Sequence, residues 1–198
     1  MRRRFMDTQE HLASLDGQQY LVLRPAGAVA RAYEEVQGAL LAGDAGGLPH
    51  PHTGHVTLRG FFEPHRREEL AALIRTWAAD RRPIALAADA VDSFAAPWQI
   101  VILRLARTAA LVDAYASLTD ALAGSDFRRL GELPLDEWTF HLSVVYAKTL
   151  RPEAWDRLEA AAVRPLDPSP AETVDAVEFV WYENGEEYAE TIPLGGIS

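Results

Sequence analysis

The chain has 198 residues, enough for one domain or two small lobes, and 48% of them are hydrophobic and 24% charged, as in ordinary globular proteins. The absence of cysteine excludes disulfides, thiolate metal sites and a cysteine nucleophile. Acidic residues outnumber basic ones by 29 to 19, for a formal net charge of -10, which argues against long duplex nucleic acid and favours a small phosphorylated ligand.

The N-terminal stretch has three consecutive arginines at positions 2–4, but no apolar run follows them. A basic start without an apolar run is not a secretory signal, and no stretch of the sequence is apolar enough to span a membrane. We therefore expect a cytoplasmic protein with a flexible N-terminal tail over residues 1–17. Residues 18–198 are expected to form a single domain.

Apolar alternation and helical spacing of apolar residues predict strands that take turns with helices. The predicted strands are 20–25, 56–62, 83–88, 100–105, 139–146, 173–182 and 187–193. The predicted helices are 27–42, 65–80, 108–122 and 152–162. Asn184-Gly185 indicates a two-residue hairpin turn between the last two strands. This order is typical of an α/β or α+β sandwich.

Two short motifs each occur twice at the same offset. The tripeptide HVT at 55–57 recurs as HLS at 141–143, 86 positions later. The tetrapeptide DAVD at 89–92 recurs as DAVE at 175–178, again 86 positions later. Each copy reads as strand, helix, strand, strand. The matched offsets predict two pseudo-symmetric lobes.

The tripeptides carry groups suited to phosphodiester chemistry. Residues i and i+2 of a strand share a face, so His55 lies beside Thr57 and His141 beside Ser143. An approximate two-fold axis between the lobes would bring both pairs to one cleft. There, one neutral imidazole can accept a proton from an attacking water or hydroxyl, and one protonated imidazole can donate a proton to the leaving oxygen. The hydroxyls can hydrogen-bond the non-bridging oxygens.

The paired motifs resemble those of the 2H phosphoesterase superfamily, which includes 2′–5′ RNA ligase-like proteins and cyclic phosphodiesterases. The resemblance covers residues 20 to about 194. It implies an α+β fold of two pseudo-symmetric lobes, each an antiparallel-rich sheet backed by helices, around a central cleft. It also implies chemistry without metal or cofactor on cyclic phosphates or 2′–5′ phosphodiesters. By position, His55 and His141 become the catalytic pair, and Thr57 and Ser143 bind the phosphate.

One position departs from the family pattern. Many members carry arginine five residues after the second motif histidine, where this chain has Tyr146. A phosphate-binding cation could instead come from Arg59, Arg104, Arg128 or Lys148, and Tyr146 could stack on a base. We single out Tyr146 and Arg59 as substrate-binding residues beside the two hydroxyls.

Other functions fit the same residues. RNA end-joining is the reverse reaction and would use the same groups, and a nucleotide-binding module would keep the cleft without turnover. Histidines at 50, 52 and 55 invite a metallohydrolase interpretation, but the second copy has no matching cluster, so we expect no metal site. The carboxylates of the tetrapeptides are expected to be solvated at strand ends, or else to orient a histidine. We expect a monomer that acts on a small nucleotide or RNA end.

Overall fold

The computed structural model describes residues 3–6, 8–43 and 45–195, which form five helices and ten strands. The helices are α1 (Gln9–Ser14), α2 (Ala28–Ala42), α3 (Arg67–Ala79), α4 (Ala109–Leu122) and α5 (Pro152–Ala162). The strands are β1 (Gln19–Leu23), β2 (Val56–Phe61), β3 (Ile84–Phe94), β4 (Ile100–Leu105), β5 (Arg129–Leu130), β6 (His141–Tyr146), β7 (Arg164–Pro165), β8 (Ala171–Val174), β9 (Ala176–Glu183) and β10 (Glu186–Pro193). Within these described ranges, no helix is long and apolar enough to cross a membrane.

The strands form two antiparallel sheets, one in each lobe. The first sheet has the order β10-β9-β1-β2-β5, and the second has the order β6-β4-β3-β7, with β8 also paired to β3. The two motif-bearing strands, β2 and β6, therefore lie in different sheets. This arrangement confirms the predicted α+β fold of two pseudo-symmetric lobes.

The repeat is longer than the motif spacing indicated. The first copy runs β1, α2, β2, α3, β3, and the second runs β4, α4, β6, α5, β9. The last strand of each copy pairs into the sheet of the other copy, because β3 lies beside β4 and β9 lies beside β1. The predicted unit of strand, helix, strand, strand is present from each motif onward, as β2, α3, β3, β4 and as β6, α5, β9, β10, with the short strands β7 and β8 inserted before β9. An offset between motifs does not reveal which strands pair.

One apolar core runs through both lobes. It includes the fully buried Leu58 of β2 and Leu103 of β4, together with Ile74 of α3 and Leu118 of α4. Fully burying a side chain of this kind contributes about 1.5–3 kcal/mol to stability. Because the core is continuous and each copy sends a strand across, the two lobes are held in a fixed relation and their cleft faces meet.

The N-terminal residues do not form the free tail that the sequence analysis predicted over residues 1–17. Phe5 and Leu12 are only 2% and 3% exposed. They belong to a second, small apolar cluster with Val22, Val180 and Tyr182. The prediction was wrong because it was based on the arginines and took no account of the apolar side chains between them and β1. Residues 1, 2 and 7 lie outside the described part of the chain.

Candidate active site

Each motif histidine lies where a strand begins. His141 is the first residue of β6, and His55 directly precedes β2. The middle residues of the motifs, Val56 and Leu142, are fully buried in the core, whereas the histidines are partly buried. Because residues two apart in a strand share a face, each histidine lies on the same side as the hydroxyl residue that follows it.

A β-bulge follows the first motif. Along β1, Leu21 pairs with Arg59, but its neighbour Val22 pairs with Thr57, so Leu58 is an extra residue on β2. A bulge interrupts the alternation of side chains between the two faces of a strand. The cleft face therefore ends at Thr57, and Arg59 points into the core.

Arg59 is consequently not a cleft residue, and its prediction as a substrate-binding residue was wrong. Its side chain is 1% exposed and forms an ion pair with Glu132. It also donates a hydrogen bond of 2.7 Å to the Thr119 hydroxyl, and its guanidinium lies 4.3 Å from the centre of the Tyr115 ring. These contacts join β2 of the first copy to α4 of the second.

Replacing Arg59 by methionine is expected to lower the free energy of unfolding by about 1.5–3 kcal/mol, because the charged hydrogen bonds to Glu132 and Thr119 are lost. Urea unfolding followed by circular dichroism measures this change. The KM for a phosphodiester substrate should stay within about twofold of the wild-type value, since a core residue makes no substrate contact. Unchanged stability with a raised KM would return Arg59 to the substrate-binding residues.

The second motif is followed by the same kind of bulge. Ile102 of β4 pairs with Ser143, and its neighbour Val101 pairs with Val145, so Val144 is the extra residue on β6. After this bulge the alternation is reversed, and Tyr146 returns to the cleft face. Burial raises the pKa of the Tyr146 hydroxyl to about 12, so that it remains a hydrogen-bond donor at every working pH.

A cavity of about 190 Å³ lies between the lobes and contains most of the predicted site residues. His55, Thr57, Ser143 and Tyr146 all line it. Its other walls come from the N-terminal residues and from β1 and β9: Phe5, Met6, Leu15, Tyr20, Val22, Val180 and Tyr182. A larger open depression of about 440 Å³ lies between α4 and residues 132–135, and neither motif contributes to it.

His141 lies two residues before Ser143 on the same strand face, beside the cavity rather than in its wall. Its Nδ1 atom is 2.8 Å from the carbonyl oxygen of Thr139. Only a protonated Nδ1 can donate to that carbonyl, so Nε2 is left to exchange protons. The ring packs edge-on against Phe94, with the ring centres 4.9 Å apart. Burial lowers the pKa of His141, and the hydrogen bond to Thr139 opposes this effect.

His55 is covered more completely. The Phe5 ring packs on it with the ring centres 4.2 Å apart. The pKa of His55 is lowered to about 4, mainly by burial and to a smaller extent by the positive charge of Arg24 and the proximity of His141. The Thr53 carbonyl beside the ring raises this pKa. Within the described residues, however, Nδ1 of His55 has no hydrogen bond of ordinary geometry.

An arginine paired with carboxylates accompanies each histidine. Arg24, which follows β1, binds both carboxylate oxygens of Glu178 at 2.8 and 2.9 Å. Arg104, in the equivalent place on β4, binds Asp89 at 2.9 Å and Asp92 at 2.6 Å. The tetrapeptide carboxylates were predicted to be solvated at strand ends. The structure shows instead that three of them hold these arginines.

A further repeat in the sequence could have been used to predict that Arg24 and Arg104 are equivalent. Residues 21–24 read LVLR and residues 101–104 read VILR, 80 positions later. Arg104 also pairs with His141 across the β4–β6 ladder, and Arg24 is close enough to His55 to lower its pKa. The two arginines are therefore equivalent neighbours of the two histidines.

The other cations considered from the sequence lie elsewhere. The guanidinium of Arg128 lies 5.1 Å from the centre of the Phe62 ring, and Lys148 is exposed. Among the described residues that line the cavity, none is lysine or arginine. A bound phosphate there would be held by hydroxyls and imidazoles.

The histidines at 50, 52 and 55 do not converge on one point. Nδ1 of His50 is 2.8 Å from the carbonyl oxygen of Leu48. The rings of His50 and His52 are 5.6 Å apart. In the ranges that the structure describes, no group of three or more His, Asp or Glu side chains is arranged to hold a metal ion.

Comparison with known proteins gives one family and several related folds. A family model described as the 2'-5' RNA ligase superfamily matches residues 25–186. The crystal structure of TT0787 from Thermus thermophilus is similar, with 16% identity and a TM-score of 0.60 over 91% of this chain and 100% of that chain. Escherichia coli LigT complexed with 3'-AMP has 12% identity and a TM-score of 0.61, over 91% and 99% of the two chains.

A third similar structure is Usb1 from Kluyveromyces marxianus, with 13% identity and a TM-score of 0.53 over 91% of this chain and 100% of that chain. At these identities the likeness concerns the fold. No curated protein matches the sequence significantly.

Proposed function

The chain belongs to the 2'-5' RNA ligase superfamily, and we propose that it is a metal-independent phosphoesterase that opens cyclic phosphates or cleaves 2′–5′ phosphodiesters of small nucleotides. The observation that carries the proposal is the meeting of both motifs at one cavity. His55 and Thr57 line it from one lobe and Ser143 from the other, and His141 lies close enough to influence the pKa of His55.

In hydrolysis, His55 acts as the general base and His141 as the general acid. Burial and the positive charge of Arg24 disfavour a protonated His55 and outweigh the opposite effects of Thr53 and Glu178, which suits a group that must accept a proton. The Thr139 carbonyl accepts a hydrogen bond from His141 and so favours its protonated form. Water loses a proton to His55 as its oxygen bonds to phosphorus. The P–O bond to the leaving ribose oxygen breaks, and that oxygen takes a proton from His141.

Thr57 and Ser143 donate hydrogen bonds to the non-bridging oxygens and hold phosphorus in line between the two imidazoles. The absence of lysine and arginine from the described wall of the cavity supports a substrate with one negative charge. A cyclic phosphate or phosphodiester carries one charge, whereas a terminal phosphomonoester carries about -1.5 to -2 at pH 7. A phosphomonoester product carries more negative charge than the substrate, so a cavity wall whose described part contains no lysine or arginine favours its release.

A nucleotide as the bound molecule is in keeping with the related folds. LigT has been solved with 3'-AMP and with NADP+. RNA end-joining is the reverse reaction, in which a ribose hydroxyl opens the cyclic phosphate, and the same groups would serve it. The net charge of -10 and the small cavity of about 190 Å³ favour hydrolysis of small substrates.

Replacing Thr57 by valine or Ser143 by alanine is expected to lower kcat about 10-fold to 10²-fold, because each change removes one donor to the phosphate. Steady-state hydrolysis of a 2′,3′-cyclic mononucleotide measures the effect. Thr76→Val is a matched control, since Thr76 is exposed on α3 and its hydroxyl donates a hydrogen bond of 3.0 Å to the Ala72 carbonyl. Wild-type rates in both cleft variants would contradict the assigned role of the hydroxyls.

A further inference from the structure

The N-terminal segment, defined here as residues 3–6 and 8–15, forms one wall of the cavity. Phe5, Met6 and Leu15 all line it, and the Phe5 ring covers His55 with the ring centres 4.2 Å apart. The segment lies before residues 25–186, which the family model matches. It therefore lies outside the matched region, as β1 does, and its Phe5 reaches the proposed general base.

Polar contacts anchor the segment at Phe5. The Glu187 carboxylate accepts hydrogen bonds from the backbone N–H groups of Phe5 and Met6, at 3.0 and 3.3 Å. The Tyr182 hydroxyl donates to the same carboxylate at 3.2 Å. On the other side, the backbone N–H of His52 donates to the Phe5 carbonyl at 2.9 Å.

Charged groups complete the anchor. The Arg24 guanidinium lies 4.0 Å from the centre of the Phe5 ring, an arrangement that attracts a cation to an aromatic face. Arg4 forms an ion pair of 2.5 Å with Glu186 at the start of β10, with both side chains about half exposed. Such an exposed pair contributes little, so residues 3–6 are held mainly through Phe5.

The segment can leave without breaking the main core. Phe5 and Leu12 pack in the small apolar cluster with Val22, Val180 and Tyr182, and this cluster is separate from the core that joins the lobes. Elements with few buried apolar contacts open locally at lower free energy than the rest of a fold. Opening would expose His55 and enlarge the cavity.

The cavity is small while the segment is in place. Its volume is about 190 Å³, whereas pockets for small organic ligands and cofactors usually measure about 300–1,000 Å³. The covered cavity has room for a phosphate and part of a sugar. A ligand that continues on both sides of the phosphate exceeds this volume and must displace part of the wall, to which Phe5, Met6 and Leu15 contribute.

We infer that the N-terminal segment is a cover that restricts the size of the substrate, and that Phe5 is its specificity-determining residue. The inference rests on the proposed function. The covered site favours a 2′,3′-cyclic mononucleotide over a 2′–5′ dinucleotide, because the dinucleotide displaces more of the segment. The cost of displacing the segment is subtracted from the binding free energy of the larger substrate.

The first test compares Phe5→Ala with the wild type on these two substrates. The variant is expected to raise kcat/KM for the 2′–5′ dinucleotide at least 10-fold more than for the cyclic mononucleotide. Phe127→Ala is the matched control, because Phe127 is partly buried against the main core and stacks with Arg66, away from the cavity. An unchanged ratio of the two kcat/KM values in Phe5→Ala overturns the inference.

A second readout does not depend on turnover. Carbethoxylation of His55 by diethyl pyrocarbonate, followed by peptide mass spectrometry, measures how often the cover opens, and the exposed His65 serves as an internal reference. Modification of His55 should be at least 10-fold faster in Phe5→Ala. Glu187→Gln should also increase it, because this variant keeps Phe5 and weakens its anchor.

The two readouts separate the two claims. Unchanged modification of His55 in both variants overturns the cover. Faster modification of His55 without turnover by any form of the protein contradicts the proposed function, while the cover over His55 stands. If Phe5→Ala fails to fold, Glu187→Gln alone decides, because an amide fills the same space as the carboxylate.

Discussion

Alanine in place of His55 or His141 is expected to lower kcat at least 10²-fold and to leave the fold intact. Each imidazole transfers one proton in the proposed reaction, and neither can do the work of the other at the opposite side of phosphorus. Both side chains are partly buried on the cleft face and not in the apolar core. Hydrolysis of a 2′,3′-cyclic mononucleotide, with thermal unfolding measured beside it, tests both parts of the expectation.

Further variants make this experiment specific. His65→Ala removes an exposed histidine outside the cavity and should leave the rate unchanged. The double variant of His55 and His141 should be little slower than the slower single variant, because groups that act as one unit lose their effect together. A single variant that keeps more than about a tenth of the wild-type kcat would remove that histidine from the acid–base pair.

The second large effect is the dependence of kcat/KM on pH. Burial lowers the pKa of His55 to about 4 and also lowers the pKa of His141 below its ordinary value of 6.5. The base must be neutral, so the rate rises as pH rises through the pKa of His55. The acid must be protonated, so the rate falls as pH rises through the pKa of His141, by about tenfold for each pH unit.

The profile of kcat/KM is therefore expected to be bell-shaped, with its maximum on the acid side of neutrality. Because kcat/KM reports the free enzyme, it is the quantity that reflects the covered state of His55. Initial rates from pH 3 to 9, a range that extends below the pKa of His55, give the profile at substrate concentrations far below KM. A flat profile between pH 5 and 8 would contradict acid–base catalysis by this pair.

The repeated motifs were sufficient to predict the two lobes and the faces of the motif side chains. Pseudo-symmetric copies place equivalent residues at equivalent positions, and alternation in a strand sets which of them share a face. For this reason the sequence was sufficient to predict that His55, Thr57 and Ser143 meet at one cleft. The prediction for Tyr146 as a cleft residue agrees with its position in the cavity wall.

The register irregularities could not be predicted in this way. Arg59 is two residues beyond Thr57, and strict alternation would put it in the cleft. The bulge at Leu58 arises from how β1 and β2 pair, which is a property of two distant segments. The same kind of bulge on β6 brings Tyr146 into the cleft.

Long-range contacts also determine where the strands end and whether the N-terminal residues are buried. β3 extends to Phe94, beyond the predicted 83–88, because residues 90–94 pair with β4, and Arg104 of β4 binds both Asp89 and Asp92. The predicted strand 173–182 is divided into β8 and β9, which lie in different sheets. Phe5 is buried through Glu187, which lies far along the chain. Local sequence patterns carry no information about such partners.

Product formation in the presence of EDTA tests the two-histidine mechanism most directly. The panel consists of 2′,3′-cyclic mononucleotides, ADP-ribose 1″,2″-cyclic phosphate and a 2′–5′ dinucleotide, each incubated with the wild type, His55→Ala and His141→Ala. The account predicts turnover of at least one substrate that EDTA does not affect and that both substitutions abolish. Turnover that EDTA abolishes, or that both variants retain, would contradict it.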